Sequence, residues 1–79
     1  MKVRVEYFAQ FGQLSGCDNE LVETDASTVS ALYHQLRRRH GLPEPGPAIR
    51  AAVNDEFADW ERPLCVGDVI AFLPPVSGG

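Results

Sequence analysis

Long apolar runs are missing from this chain. None approaches the ~20 residues that a helix needs to cross a bilayer, so no transmembrane helix is expected. A signal-peptide core is missing as well, because Met1-Lys2-Val3-Arg4-Val5-Glu6 places charges between its apolar residues; cytoplasmic residence is the expectation. Cysteine is scarce: Cys17 and Cys65 are the only two. They form no CxxC pair, which removes a zinc ribbon or a thioredoxin-like motif. One disulfide is fewer than stapled small domains usually carry, so two ordinary thiols are expected. Positive charge is also short, with 7 Lys and Arg against 11 Asp and Glu and a net charge of −4. Nucleic-acid binding driven by counterion release needs the opposite balance.

Catalytic and metal-binding patterns are equally thin. His34 and His40 lie six residues apart on one predicted helix and do not share a face as an i, i+4 metal pair would, so both read as satisfied surface histidines. The run Arg37-Arg38-Arg39-His40 complements a helix C-terminus and reads as a solvated helix end. Carboxylates are scattered among turns, and nothing matches a GxxxxGK[ST] or GxGxxG phosphate loop. By its own side chains the chain is not expected to be an enzyme, and no metal site or bound cofactor is expected.

What is present suits one small domain. The chain has 79 residues, 44% hydrophobic and 23% charged, too apolar for a disordered segment and too short for two domains. Lys2 to Phe8 alternates, with Val3, Val5 and Tyr7 on one side and Phe8 on the polar side, as a half-buried strand does. Ala9 to Gly16 allows a short helical turn, and Asn19 to Glu23 a second strand. Thr28 to His40 carries an apolar stripe of Val29, Leu32, Tyr33 and Leu36, with Ser27 or Thr28 as cap and Gly41 as stop. Ile49 to Val53 reads as a third strand, Phe57-Ala58 as a short return strand, and Val69 to Leu73, apolar on both faces, as a central one. Strand, strand, helix, strand, short strand, central strand predicts an α+β domain. The central last strand beside the first gives the β-grasp, or ubiquitin-like, arrangement: one main helix on one face of a mixed sheet.

The end of the chain stands apart. Residues 1–75 form the domain, and Val76-Ser77-Gly78-Gly79 is expected to be a flexible tail. Such a tail has two readings. Small residues commonly fray at a terminus. Alternatively, Pro74-Pro75 stiffens its exit, Val76 provides an apolar hold, and Gly78 and Gly79 leave no Cβ beside the carboxylate. A tail of that kind threads a narrow channel and presents its carboxylate as the reacting group. The residues alone leave both readings open.

Phe8-Ala9-Gln10 with Leu14 and Gly16, then Ala51-Ala52-Val53-Asn54, Pro63-Leu64, Gly67-Asp68 and the closing Ala71-Phe72-Leu73-Pro74-Pro75-Val76-Ser77-Gly78-Gly79 resemble the MoaD-type sulfur carriers, the small subunits of molybdopterin synthase. The resemblance spans essentially the whole chain. Gly12 departs from it, standing where the family often carries a charged residue, and Leu73 stands where an aromatic is frequent.

The resemblance implies a carrier cycle in which an E1-like enzyme uses ATP to form a transient acyl-adenylate at Gly79. A sulfur donor protein then converts this to a thiocarboxylate, which passes its sulfur to a cyclic pyranopterin precursor within the synthase. It further implies docking through Phe8, Phe57, Leu73, Pro74, Pro75 and Val76, a heterotetramer with a dimeric large subunit, and no nucleic-acid or membrane partner. Three other readings stay open: a sulfur carrier for thiazole synthesis, a ubiquitin-like protein modifier, and a plain interaction domain.

Overall fold

Alternation in the first strand separates the inside of the domain from the outside. In a computed structural model, which describes residues 1–75, Val3, Val5 and Tyr7 of β1 (Lys2–Tyr7) are buried, while Lys2 and Arg4 are exposed. The chain then turns through α1 (Gln10–Ser15), whose Phe11 is buried and whose C-cap Gly16 takes the left-handed φ of 81° that glycine adopts without a Cβ penalty. It returns as β2 (Asn19–Glu23), antiparallel to β1 with Val3 opposite Val22.

The helix α2 (Val29–His40) begins one residue later than the spacing predicts, because Thr28 is its cap. The Thr28 backbone is extended and its Oγ1 accepts the Ala31 N–H at 3.1 Å, satisfying one of the amides that a helix start leaves without partners. Gly41 closes the other end with φ 71°. Val29, Leu32, Tyr33 and Leu36 are buried along one face, the three aliphatic side chains each contributing about 1.5–3 kcal/mol of transfer free energy. Tyr33 is tolerated in the core because its hydroxyl donates to the Pro43 carbonyl at 2.8 Å while the ring packs edge-on against Trp60 and Phe72. His40 differs from the surface histidine expected. It is half-buried, with Nε2 2.8 Å from the Glu20 carboxylate that also accepts the Tyr7 hydroxyl at 2.5 Å. This cluster ties the end of α2 to β1 and β2.

Three short strands complete the sheet: β3 (Arg50–Val53), β4 (Glu56–Ala58) and β5 (Val69–Leu73). Asn54 and Asp55, with φ of 52° and 72°, join β3 to β4 through the left-handed backbone that a two-residue hairpin loop requires. The strand order is β2-β1-β5-β3-β4. β1 and β5 are parallel, and β3 runs antiparallel to β5. Parallel neighbours need a crossover, and here the crossover carries α2 over one face. This is the β-grasp arrangement expected for an α+β chain. The apolar run of β5 is central, as predicted, but only one of its faces lies under helix. Ile70 and Phe72 are fully buried, whereas Val69 and Leu73 on the opposite face are half-buried.

Candidate functional site

Register decides what the helix-free face of the sheet presents. Arg4, Glu6, Val69, Ala71, Leu73, Arg50 and Ala52 all alternate with core residues, and the pairings Arg4↔Val69, Glu6↔Ala71, Ala71↔Ala52 and Leu73↔Arg50 align them across strands. Phe57 of β4 stands opposite Ala52. Small Ala52 and Ala71 in the middle, with larger side chains around them, leave an open cleft of about 230 Å³. Glu6, Phe8, Ala52, Asp55, Phe57, Val69, Ala71 and Leu73 line it.

The β1–α1 corner places Phe8. Its carbonyl accepts the Phe11 N–H at 3.0 Å, and Ala9 adopts φ 50°, ψ −130°, a conformation that L-residues rarely occupy and that costs on the order of 1–3 kcal/mol. Phe8, just beyond β1, is left 46% exposed, so nearly half of the residue is available to a partner. Phe57 is more open still at 67%. The Arg50 guanidinium lies over its ring, 4.3 Å from the centroid, a cation–π contact worth about 0.5–1 kcal/mol at an exposed site.

A polar clamp fixes the start of β5 beneath the cleft. The Asn54 side chain donates to Asp68 Oδ1 at 3.0 Å and accepts the Val69 N–H at 3.0 Å. Asp68 Oδ2 accepts the Cys65 N–H at 2.8 Å and faces Arg62 Nη1 at 3.2 Å. Burial pushes the Asp68 carboxyl up, but the Cys65 amide, Asn54 and Arg62 outweigh it and hold the group below the usual carboxylate range.

The residues expected to bind a partner separate into three sets. Phe8, Phe57 and Leu73 meet in the one cleft. Pro74, half-buried, and Pro75, exposed, follow β5 but do not line it. Val76, Gly78 and Gly79 lie outside the described residues, as does the expected flexible tail 76–79. Ala52, Val69, Ala71 and the carboxylates of Glu6 and Asp55 also line the cleft, although they are not among the residues expected to bind a partner. The two-faced apolar run of β5 was the available sign, since Val69, Ala71 and Leu73 alternate with the core residues Ile70 and Phe72. Among the described residues no group of His, Cys, Asp and Glu could hold a metal ion, and no helix is long and apolar enough to cross a membrane. Cys17 and Cys65 are both free thiols.

Residues 5–79 match the model of the ThiS family. The chain is 38% identical over 80 residues to the molybdopterin synthase sulfur carrier subunit of Escherichia coli, covering 98% of this chain and 99% of that protein. In structure it is similar to SAMP1 from Haloferax volcanii, with a TM-score of 0.85 at 25% identity and full coverage of both chains. It is also similar to a chain in the complex of subunits 1 and 2 of the molybdopterin-converting factor from Helicobacter pylori, with a TM-score of 0.69 at 34% identity and full coverage of both. A match along nearly the whole length, on a β-grasp domain whose last strand is central and leads to Gly78-Gly79, places the chain in the ThiS family, among relatives of the molybdopterin synthase sulfur carrier subunits.

Proposed function

We propose that this protein is the sulfur-carrying small subunit of a molybdopterin synthase, working in the cytoplasm and catalysing nothing alone. The observation that carries the reading is the full-length likeness to sulfur carrier subunits of that synthase, joined to an open apolar cleft beside the strand that leads to the glycine terminus. The reacting group is the carboxylate of Gly79, with Gly78 before it. A carboxylate is a poor electrophile. An E1-like enzyme therefore transfers AMP from ATP to its oxygen, with pyrophosphate leaving, and a sulfur donor then displaces AMP so that a C–S bond replaces a C–O bond. The resulting thiocarboxylate is the nucleophile delivered to the pyranopterin precursor.

Acid, base and substrate pocket are supplied by the partners, and the carrier supplies a rigid docking domain and the reactive terminus. Phe8, Phe57 and Leu73 are the docking residues of a domain spanning 1–75, with Pro74, Pro75 and Val76 joining them in partner binding, and residues 76–79 are the tail that carries the reacting carboxylate. The large subunit is the expected partner, in keeping with the H. pylori complex of subunits 1 and 2; two carriers flanking a dimer of it is the assembly proposed. Enclosure there keeps water and oxidants from the thiocarboxylate. The likeness to SAMP1, related to small archaeal modifier proteins by name, favours a second reading as a protein modifier joined through Gly79 to lysines.

Mixing the thiocarboxylated chain, the large subunit and the precursor tests the proposal. Conversion only when all three are present supports it; conversion without the large subunit, or isopeptide conjugates in cells with no precursor accumulating on deletion, refutes it.

A further inference from the structure

We infer that Arg50 sets partner specificity by capturing a carboxylate on the docking protein, at the edge of the cleft nearest the exit of β5. The inference rests on the docking role proposed for that cleft and goes beyond it by assigning a charge to the complementary surface. Three observations carry it. First, Arg50 is directly opposite Leu73, the last residue of β5, on the helix-free face. Any protein that covers Leu73 and receives the chain beyond it therefore approaches Arg50.

Second, the guanidinium is held in place and makes no ion pair with any described residue. It lies over the Phe57 ring at 4.3 Å, and Phe57 borders both the cleft and the neighbouring hollow that Arg50 lines. The ion pairs among the described residues are Met1–Glu23, Arg37–Glu44, Arg39–Glu20, His40–Glu20 and Arg62–Asp68. Arg50 is in none of them, although Glu6 and Asp55 line the same cleft.

Third, covering a cation left without a carboxylate is expensive, and Arg50 has none among the described residues, so a partner without an acidic group opposite it is rejected, and one with it gains a planar, two-pronged contact. Stacking on Phe57 removes part of the rotamer freedom that arginine would otherwise lose on binding. The apolar residues thus provide contact area, and Arg50 selects which apolar surface is accepted. The partner chemistry is one Asp or Glu flanked by apolar side chains, on the large subunit of the synthase.

The test measures affinity of the full chain for the isolated large subunit, at low and high salt, for wild type, Arg50→Lys, Arg50→Gln, Arg50→Glu and Phe8→Ala. Circular dichroism checks the fold of each, and Arg50→Gln serves if Arg50→Glu does not fold. Expected are a loss of roughly tenfold or more for Arg50→Glu, a smaller loss for Arg50→Lys, and a weaker salt dependence for Arg50→Gln than for wild type. In precursor conversion the Arg50 variants raise the apparent KM for the carrier by more than they lower kcat. If Phe8→Ala weakens binding while Arg50→Glu and Arg50→Gln bind like wild type with the same salt dependence, the inference is overturned and the docking reading stands. If neither position affects binding, both fail.

Discussion

Truncating Phe57 to alanine separates docking from folding, because most of that side chain is in water before any partner arrives. A phenylalanine encloses roughly 200 Å² when fully buried. At 67% exposure, roughly 130 Å² remain for a partner to cover and roughly 70 Å² are covered by the domain. At about 25 cal/mol per Å², complete coverage by the partner corresponds to about 3 kcal/mol of binding, and coverage of half that area to about 1.5 kcal/mol. The second figure is about a tenfold change in Kd, and the first exceeds a hundredfold. On the folding side the same coefficient gives an upper bound of about 2 kcal/mol, to which the lost Arg50 contact adds about 0.5–1 kcal/mol at most.

Calorimetric titration into the large subunit reads the first quantity, and thermal unfolding of the free chain reads the second. In a domain of this size each kcal/mol shifts Tm by about 4–8 °C. The expected result is a Kd at least tenfold weaker, with a Tm lowered by no more than the folding-side bound allows. An unchanged Kd beside a large fall in Tm would show that Phe57 serves the fold and that its exposure has nothing to do with docking.

Other outcomes follow from the same structure. Ala9→Gly relieves the strained corner at φ 50° and should raise Tm, a gain on the order of 1 kcal/mol; a Tm lowered by the usual entropic cost of an added glycine would refute the strained corner. At Glu20 burial pushes the carboxyl up, but Tyr7, His40 and Arg39 outweigh it and leave the group below its ordinary value. At Asp68 burial is likewise outweighed by its hydrogen bonds and Arg62. The unfolded chain therefore binds more protons than the native one in acid, so stability is full above the ordinary carboxylate range and lost as pH falls below about 4. Urea midpoints against pH should show that limb, flattened in Asp68→Asn; an unaltered limb in that variant would remove Asp68 as its source. Replacing Gly78 by a bulkier residue should cut sulfur transfer and leave Tm within error, whereas parallel losses in both would indicate a structural role.

Most elements were legible because their signals are local. The alternation of Val3, Val5 and Tyr7 specifies a strand with one wet face, and Thr28 and Gly41 mark the helix ends within a residue. The apolar run from Val69 to Leu73 placed β5 in the middle of the sheet, although its second face borders the open cleft. Contacts that depend on register were not legible. Arg50 meets Phe57 because β3 pairs with β4 through Asn54-Asp55, and His40 meets Glu20 across 20 residues of sequence; neither spacing carries a pattern in the chain. The cleft was visible only in part for the same reason. Phe8 declares itself as an aromatic on a polar side, and Leu73 as the end of an apolar run. Ala52 and Ala71 matter through their smallness at the crossing of three strands, which appears only once β1, β5 and β3 are placed side by side.

The central claim, that Gly79 carries sulfur as a thiocarboxylate, is tested most directly by intact mass spectrometry of the chain after incubation with an E1-like activating enzyme, ATP and a sulfur donor. The expected result is a mass raised by the difference between one sulfur and one oxygen, assigned to Gly79 by fragmentation, dependent on ATP, and absent when Gly79 is deleted or a residue is added after it. An unchanged mass for the wild-type chain, or a shift that persists without Gly79, would contradict it.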